Sequence, residues 1–101
     1  MKELIHFTAD WCAPCKRIAP IIEEFIVNNK DIYYDKVDVD KEFKKAELYN
    51  VQSVPTLISK IDGKIYDRVS GTVSEFTLKS MFSWNTIKSI FYTYQKLVEG
   101  F

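Results

Sequence analysis

The spacing of hydrophobic residues changes several times along the chain, and each change marks a predicted element. Residues 3–8 are mostly apolar and predict a short strand. From Pro14 to about Asn28 apolar residues recur at helical spacing, which predicts a helix. Pro20 lies inside that helix and is expected to kink it, because proline removes a donor and crowds the preceding turn. Residues 32–39 are rich in β-branched and aromatic side chains and predict a second strand.

Capping signals indicate where two further helices begin. Asp40 is expected to cap a short helix over residues 41–49. Thr72 and Glu75 have the spacing of a capping box, which predicts that a helix begins at about Val73.

A hairpin is predicted between these two helices, and one more helix after them. Residues 56–61 and 64–69 read as strands on either side of Asp62-Gly63, and Asp-Gly suits a two-residue turn between paired strands. Apolar residues between 84 and 101 again recur at helical spacing and predict a C-terminal helical extension. That helix is expected to pack on the rest of the chain, although a partner or dimer surface is the alternative.

The order strand, helix, strand, helix, hairpin, helix predicts an α/β fold. A strand–helix–strand unit implies a parallel pair with a right-handed crossover, and the hairpin adds antiparallel strands. We therefore expect a four-stranded mixed sheet flanked by helices. The length of 101 residues, 47% of them hydrophobic, suits a single domain over 1–101.

Charge and hydropathy exclude some classes of function. Lys and Arg number 14, as do Asp and Glu, so the chain lacks the basic field typical of nucleic-acid binding. No apolar run approaches the length of a membrane span. The first six residues are too short and too polar for a secretory signal, so we expect a cytoplasmic protein. We also expect the protein to be a monomer.

The two cysteines are the chain's clearest chemical signal. Cys12 and Cys15 are separated by two residues, so a disulfide between them would close too small a loop to stabilise the fold much. In a reducing compartment this spacing favours a redox or a metal role. A structural zinc site needs four ligands, and only these cysteines and His6 are available, so no metal is expected.

Four motifs in the same order resemble the thioredoxin family. They are Trp11-Cys12-Ala13-Pro14-Cys15-Lys16, Pro20, Val54-Pro55-Thr56 and Gly71. The first resembles the family's active-site motif, with alanine where the commoner form has glycine. The resemblance covers roughly residues 3–83 and implies a thioredoxin-like fold of βαβαββα order.

The resemblance implies a protein thiol–disulfide oxidoreductase that reduces disulfides in partner proteins. Cys12 would be the nucleophile and Cys15 the resolving thiol, which together form a redox-active disulfide. A thiolate at a helix N-terminus is stabilised by unpaired N–H groups, which agrees with that role for Cys12. The implied substrate-binding residues are Trp11, Ala13, Pro14, Val54, Pro55 and Gly71, with the Val54–Pro55 bond in the cis form. For Trp11 the alternative is a core aromatic.

His6 is the main departure from the family pattern. Thioredoxins usually carry a buried aspartate six residues before the first cysteine, which helps to move the proton of the resolving cysteine. An imidazole can also accept a proton, so His6 is a candidate proton acceptor for Cys15. The alternative is a buried histidine with no catalytic part. Lys36 matches the lysine that pairs with the aspartate, and it would have to turn to another acid or to solvent.

A second departure concerns the start of the chain. It begins almost at the strand that leads into the cysteines, so residues 32–39 are expected to form an exposed sheet edge.

Two other functions stay open at this point. One is a glutaredoxin-type reductase that uses glutathione, and the other is a binding or assembly subunit whose thiols are dispensable. The expected partners are disulfide-containing proteins and a thioredoxin-reductase-like electron donor, and no cofactor is expected.

Overall fold

The computed structural model describes residues 1–82, and within them each predicted element is present. The elements are β1 (Lys2–Thr8), α1 (Ala13–Val27), β2 (Ile32–Asp38), α2 (Phe43–Leu48), β3 (Thr56–Ile61), β4 (Lys64–Ser70) and α3 (Glu75–Ser80). The predicted helix over 84–101 lies outside the described residues, so the single domain over 1–101 stays a prediction.

The four strands form one mixed sheet in the order β2-β1-β3-β4. β1 pairs in parallel with β2 through the α1 crossover, whereas β3 is antiparallel to both β1 and β4. This confirms the predicted α/β class. Among the described residues β2 lies at one edge of the sheet, as expected.

Each face of the sheet carries its own hydrophobic cluster. Leu4 of β1 and Leu57 of β3 face α1 and α3. The alternate residues of the same strands, Ile5 and Ile58, face the side that carries α2. Because side chains alternate along a strand, His6 lies on the same face as Leu4, which is the face that α1 covers.

Two predicted helix starts are wrong. Helix α2 begins at Phe43 rather than at 41, and no side chain caps it. The backbone N–H groups of Lys41 and Glu42 donate to the carbonyl of Asp38, and the Asp40 carboxylate accepts a hydrogen bond from the Trp11 indole instead. Helix α3 is capped by Ser74, whose hydroxyl accepts the backbone N–H of Thr77 at 3.3 Å, so the predicted capping box is displaced by two residues.

The predicted hairpin and the predicted end of its second strand are confirmed. Asp62 and Gly63 have φ angles of 52° and 82°, which is the left-handed pair that a type I′ turn needs. β4 ends at Ser70, and Gly71 follows with a φ of 93°.

The part of the chain that the structure describes contains no helix long and apolar enough to cross a membrane. Over the same residues no group of three or more His, Cys, Asp or Glu could hold a metal ion.

Candidate active site

Cys12 occupies the N-cap of α1, at the end of the loop that follows β1. Its backbone is extended, and its Sγ accepts a hydrogen bond from the backbone N–H of Cys15 at 3.1 Å. Pro14 lies in the first turn, where its missing N–H would have no helical partner. The predicted position of Cys12 at the start of the helix is therefore confirmed.

Cys12 and Cys15 are joined by a disulfide, with their Cα atoms 5.3 Å apart. The side chains of Val39 and Val54 pack against the pair. Cys12 is 3% exposed and Cys15 is 2% exposed, so the two side chains are almost equally buried.

The segment before β3 faces the cysteines and is tied to the end of β4. The Val54–Pro55 peptide bond is cis, as the resemblance implies. The carbonyl of Pro55 accepts the backbone N–H of Gly71 at 3.0 Å. The Thr56 hydroxyl donates a hydrogen bond to the Ser53 carbonyl at 2.7 Å, which links the two ends of the segment that contains the cis bond. These bonds fix the backbone beside the disulfide.

Trp11 lies at the surface. Its side chain is 69% exposed, so the alternative of a core aromatic is wrong. Its indole N–H donates to the Asp40 carboxylate at 2.9 Å. An apolar groove of about 140 Å³ adjoins the ring, and its lining residues are Trp11, Val39, Val51, Gln52, Ser53 and Val54.

The remaining residues of the predicted site are Ala13, Pro14 and Gly71, and they differ in exposure and in how they contact the site. Ala13 is exposed and Pro14 is half-buried at the first turn of α1. Gly71 contacts the site through the hydrogen bond from its backbone N–H to the Pro55 carbonyl.

His6 is fully buried, and its described hydrogen bond goes to a tyrosine rather than to a cysteine. Its Nδ1 lies 2.9 Å from the Tyr34 hydroxyl, and the two rings stack with centroids 6.2 Å apart. Nε2 has no hydrogen-bond partner among the described residues. Burial, with a smaller effect from the charge of Lys36, lowers the pKa of His6 to about 4. The imidazole is therefore neutral at physiological pH.

Sequence reasoning missed three residues of this site. Tyr34 bonds His6, Asp40 bonds Trp11, and Val39 packs on the cysteines. Tyr34 and Asp40 reach their partners across 28 and 29 residues of sequence, so no local pattern could have indicated them. Lys36 lies exposed, which fits the expectation that it turns to solvent.

This arrangement can carry out thiol–disulfide exchange. A thiolate is both the nucleophile and the leaving group of that reaction. The N–H groups and the dipole of α1 stabilise an anion at Cys12, and Cys15 is close enough to close the ring. An apolar groove next to the disulfide offers a surface for a polypeptide.

Comparison with known proteins agrees with the geometry. The Thioredoxin family model matches residues 1–83. The chain is 39% identical over 80 residues to a thioredoxin from Mycoplasmoides gallisepticum, covering 79% of this chain and 80% of the relative. It is 44% identical over 68 residues to a thioredoxin from Chlamydia caviae, covering 67% of each chain. The crystal structure of Fasciola hepatica thioredoxin superposes with a TM-score of 0.76 at 35% identity, covering 81% of this chain and 78% of that chain.

Proposed function

Because this chain belongs to the thioredoxin family and is a protein thiol–disulfide oxidoreductase, we propose that Cys12 is its attacking thiol and Cys15 its resolving thiol. The observation that supports this most is the hydrogen bond from the Cys15 N–H to the Cys12 sulfur at the N-cap of α1. A donor aimed at the sulfur favours the thiolate over the thiol. No comparable backbone donor is described for the sulfur of Cys15.

The cycle begins with the reduced pair. The Cys12 thiolate attacks a disulfide of a partner protein, forms a mixed disulfide with one sulfur and releases the other as a thiolate. Cys15 loses its proton and attacks the Cys12 sulfur, which forms the intramolecular disulfide and releases the second partner sulfur. The partner gains two electrons and the Cys12–Cys15 pair loses two.

The exposed groove is the proposed binding site for the partner. Trp11 and Val54 line it, and the backbone hydrogen bond between Pro55 and Gly71 ties the segment that follows Val54 to the end of β4. Ala13 and Pro14 complete the surface at the first turn of α1. An extended segment could pair with the backbone at Val54, because its carbonyl and N–H precede the strand β3 and adjoin the cysteines.

His6 is proposed as the proton acceptor for Cys15. It lies on the sheet face covered by α1, and one ring nitrogen is unpartnered among the described residues. A neutral imidazole has a free lone pair for this task.

Thioredoxins reduce disulfide substrates and are themselves reduced by thioredoxin reductase. For this chain we propose the same kind of partners, disulfide-containing proteins and a thioredoxin-reductase-like donor, with the protein acting as a monomer. The cytoplasm is the proposed location, because a dithiol that must be regenerated works best where thiols are kept reduced.

Replacing each cysteine by serine tests the assignment. With insulin as the substrate and dithiothreitol as the reductant, both variants should lose turnover. For the trapping experiment each variant is reduced first, freed of dithiothreitol and then mixed with insulin, so that no added thiol can resolve a mixed disulfide. Cys15→Ser should accumulate a covalent mixed disulfide through Cys12, because nothing resolves it, whereas Cys12→Ser should accumulate none. Mass spectrometry under non-reducing conditions separates these outcomes. A mixed disulfide that forms on Cys15 in Cys12→Ser, but not on Cys12 in Cys15→Ser, would reverse the two roles.

A further inference from the structure

The bond between His6 and Tyr34 leaves one end of a buried polar pair without a partner. Nδ1 of His6 meets the Tyr34 hydroxyl at 2.9 Å, whereas Nε2 has no hydrogen-bond partner in residues 1–82 although the side chain is 0% exposed. A buried polar atom without a partner carries a cost in stability. One explanation for such an atom is a partner that is available only in another state of the site, such as the reduced state of the two cysteines.

The topology directs this pair toward Cys15. Helix α1 runs back along β1, and Leu4 packs in the same cluster as Ile18 and Ile22. His6 follows Leu4 by two residues and so lies on the same face, nearer the cysteine end of β1. Cys15 precedes Ile18 by about one helical turn, which moves it toward the same end of the sheet. His6 therefore lies beneath the first turns of α1.

The protonation states of His6 and Tyr34 determine how this pair can transfer a proton. Burial lowers the pKa of His6 to about 4, so the ring cannot hold a second proton at neutral pH. Any proton that enters at Nε2 must be matched by one that leaves from Nδ1. Tyr34 is half-buried and is the described partner of that nitrogen. Burial, with a smaller effect from the charge of Glu23, raises the pKa of Tyr34 to about 12, so it too stays neutral.

We propose that Tyr34 is a positioning residue for the resolving step, which holds His6 with Nε2 free for the Cys15 thiol and passes the Nδ1 proton outward. The inference rests on the proposed roles of the two cysteines. The Cys15 proton moves to Nε2, the Nδ1 proton moves to the Tyr34 oxygen, and the hydroxyl proton leaves to solvent. Cys15 becomes a thiolate and solvent gains one proton. His6 stays neutral and changes only its tautomer.

Within residues 1–82, two charged groups act on the pair. Lys36 on β2 acts on His6, and Glu23 on α1 acts on Tyr34. From β3, the register places Leu57 opposite His6, and it carries no charge.

The test separates attack from resolution in one reaction. Reduced protein is mixed at neutral pH with one equivalent of an aromatic disulfide whose thiolate is coloured. Attack by Cys12 releases the first coloured thiolate, and resolution by Cys15 releases the second. Tyr34→Phe should leave the first phase unchanged and slow the second about tenfold, a part of what general acid–base catalysis contributes. The matched control is Tyr33→Phe, since Tyr33 is the exposed neighbour on the opposite face.

Three further readouts exclude a merely structural effect. The deficit of Tyr34→Phe should disappear well above the ordinary thiol pKa of about 8.5, because solvent then deprotonates Cys15. The solvent isotope effect on the second phase should fall in Tyr34→Phe. His6→Asn should slow the second phase at least as much, and the double variant should be no slower than His6→Asn.

Each outcome decides one claim. A second phase of Tyr34→Phe that stays within about twofold of the wild-type rate overturns the role of Tyr34, because general acid–base catalysis contributes far more. So does a slowed phase whose pH profile and isotope effect match the wild type. A first phase that is lost in Cys15→Ser but kept in Cys12→Ser would instead overturn the proposed roles of the cysteines.

Discussion

The two halves of the site are built by different means. The groove half consists of Cys12 and the exposed groove beside it, and it is held largely by backbone groups: the Cys15 N–H that bonds the Cys12 sulfur and the Gly71–Pro55 hydrogen bond. The buried half consists of Cys15 and the His6–Tyr34 pair, and its polar contact joins two side chains on neighbouring strands. The groove half therefore depends mainly on backbone geometry, whereas the buried half depends on a contact between two side chains that the strand register brings together.

This difference has a consequence for pH. Backbone N–H groups do not titrate in the physiological range, so the support of Cys12 from α1 is constant. His6 is a titratable group inside the core, and its neutral form is the one that the fold accommodates. The buried half should therefore be the part of the site that responds to acid.

The largest expected effect is a loss of stability below neutral pH that depends on His6. The unfolded chain takes up a proton at the ordinary pKa of 6.5, whereas the folded protein does so only at about 4. The unfolded state thus binds more protons between these values, and folding stability falls as the pH falls from 6.5 to 4. The loss is about 3 kcal/mol for a shift of this size.

Chemical denaturation of the oxidised protein at a series of pH values measures this loss. His6→Asn should differ from the wild type by a constant amount above pH 6.5 and by a shrinking or reversed amount toward pH 4. His6 is the chain's only histidine, so the other groups that titrate in this window are shared by both proteins. A difference that does not change with pH would mean that His6 is protonated alike in both states.

A smaller effect is expected from the two glycines with left-handed backbone. Gly71 has a φ of 93° and Gly63 a φ of 82°, and an added Cβ would meet no atom within 4 Å at either position. Alanine at either should cost about 1–2 kcal/mol because of its backbone conformation alone. Gly71→Ala should also slow insulin reduction, because relief of the left-handed backbone at residue 71 would displace the N–H that bonds the Pro55 carbonyl beside the cysteines.

Gly63→Ala is the matched control, since it carries the same strain in the hairpin turn, away from the disulfide. The two variants should have similarly lowered melting temperatures. In the insulin assay, only Gly71→Ala should reduce disulfides more slowly than the wild type. Equal activity in both variants would show that the Pro55 segment tolerates the change.

The same contrast explains what the sequence could predict. The motif from Trp11 to Cys15 and the Asp62-Gly63 turn are local, so their residues alone indicate a helix start and a hairpin. The His6–Tyr34 bond needs the parallel register that sets Leu4 opposite Tyr34, and no local pattern determines that register.

The error at Asp40 has a similar cause. An aspartate side chain can cap a helix or accept a hydrogen bond from a donor far away in sequence. The residues next to Asp40 indicate only the capping role. The indole of Trp11 is the distant donor, because the loop after β1 and the loop after β2 leave the same end of the sheet. Parallel pairing thus brought together the two loops that flank the groove.

The smallest expected effect tests whether that indole contact shapes the groove. Trp11→Phe keeps an aromatic ring but removes the donor to Asp40. The KM for insulin should rise about fivefold, the equivalent of a hydrogen bond worth about 1 kcal/mol, with kcat unchanged. Asp40→Ala should reproduce this effect, and Asp40→Asn should not, because its amide oxygen still accepts the indole N–H. Asp10→Ala is the control, since Asp10 is a neighbouring exposed carboxylate. If Asp10→Ala raised the KM as much as Asp40→Ala, the groove would depend on its negative charge rather than on the fixed position of the tryptophan ring.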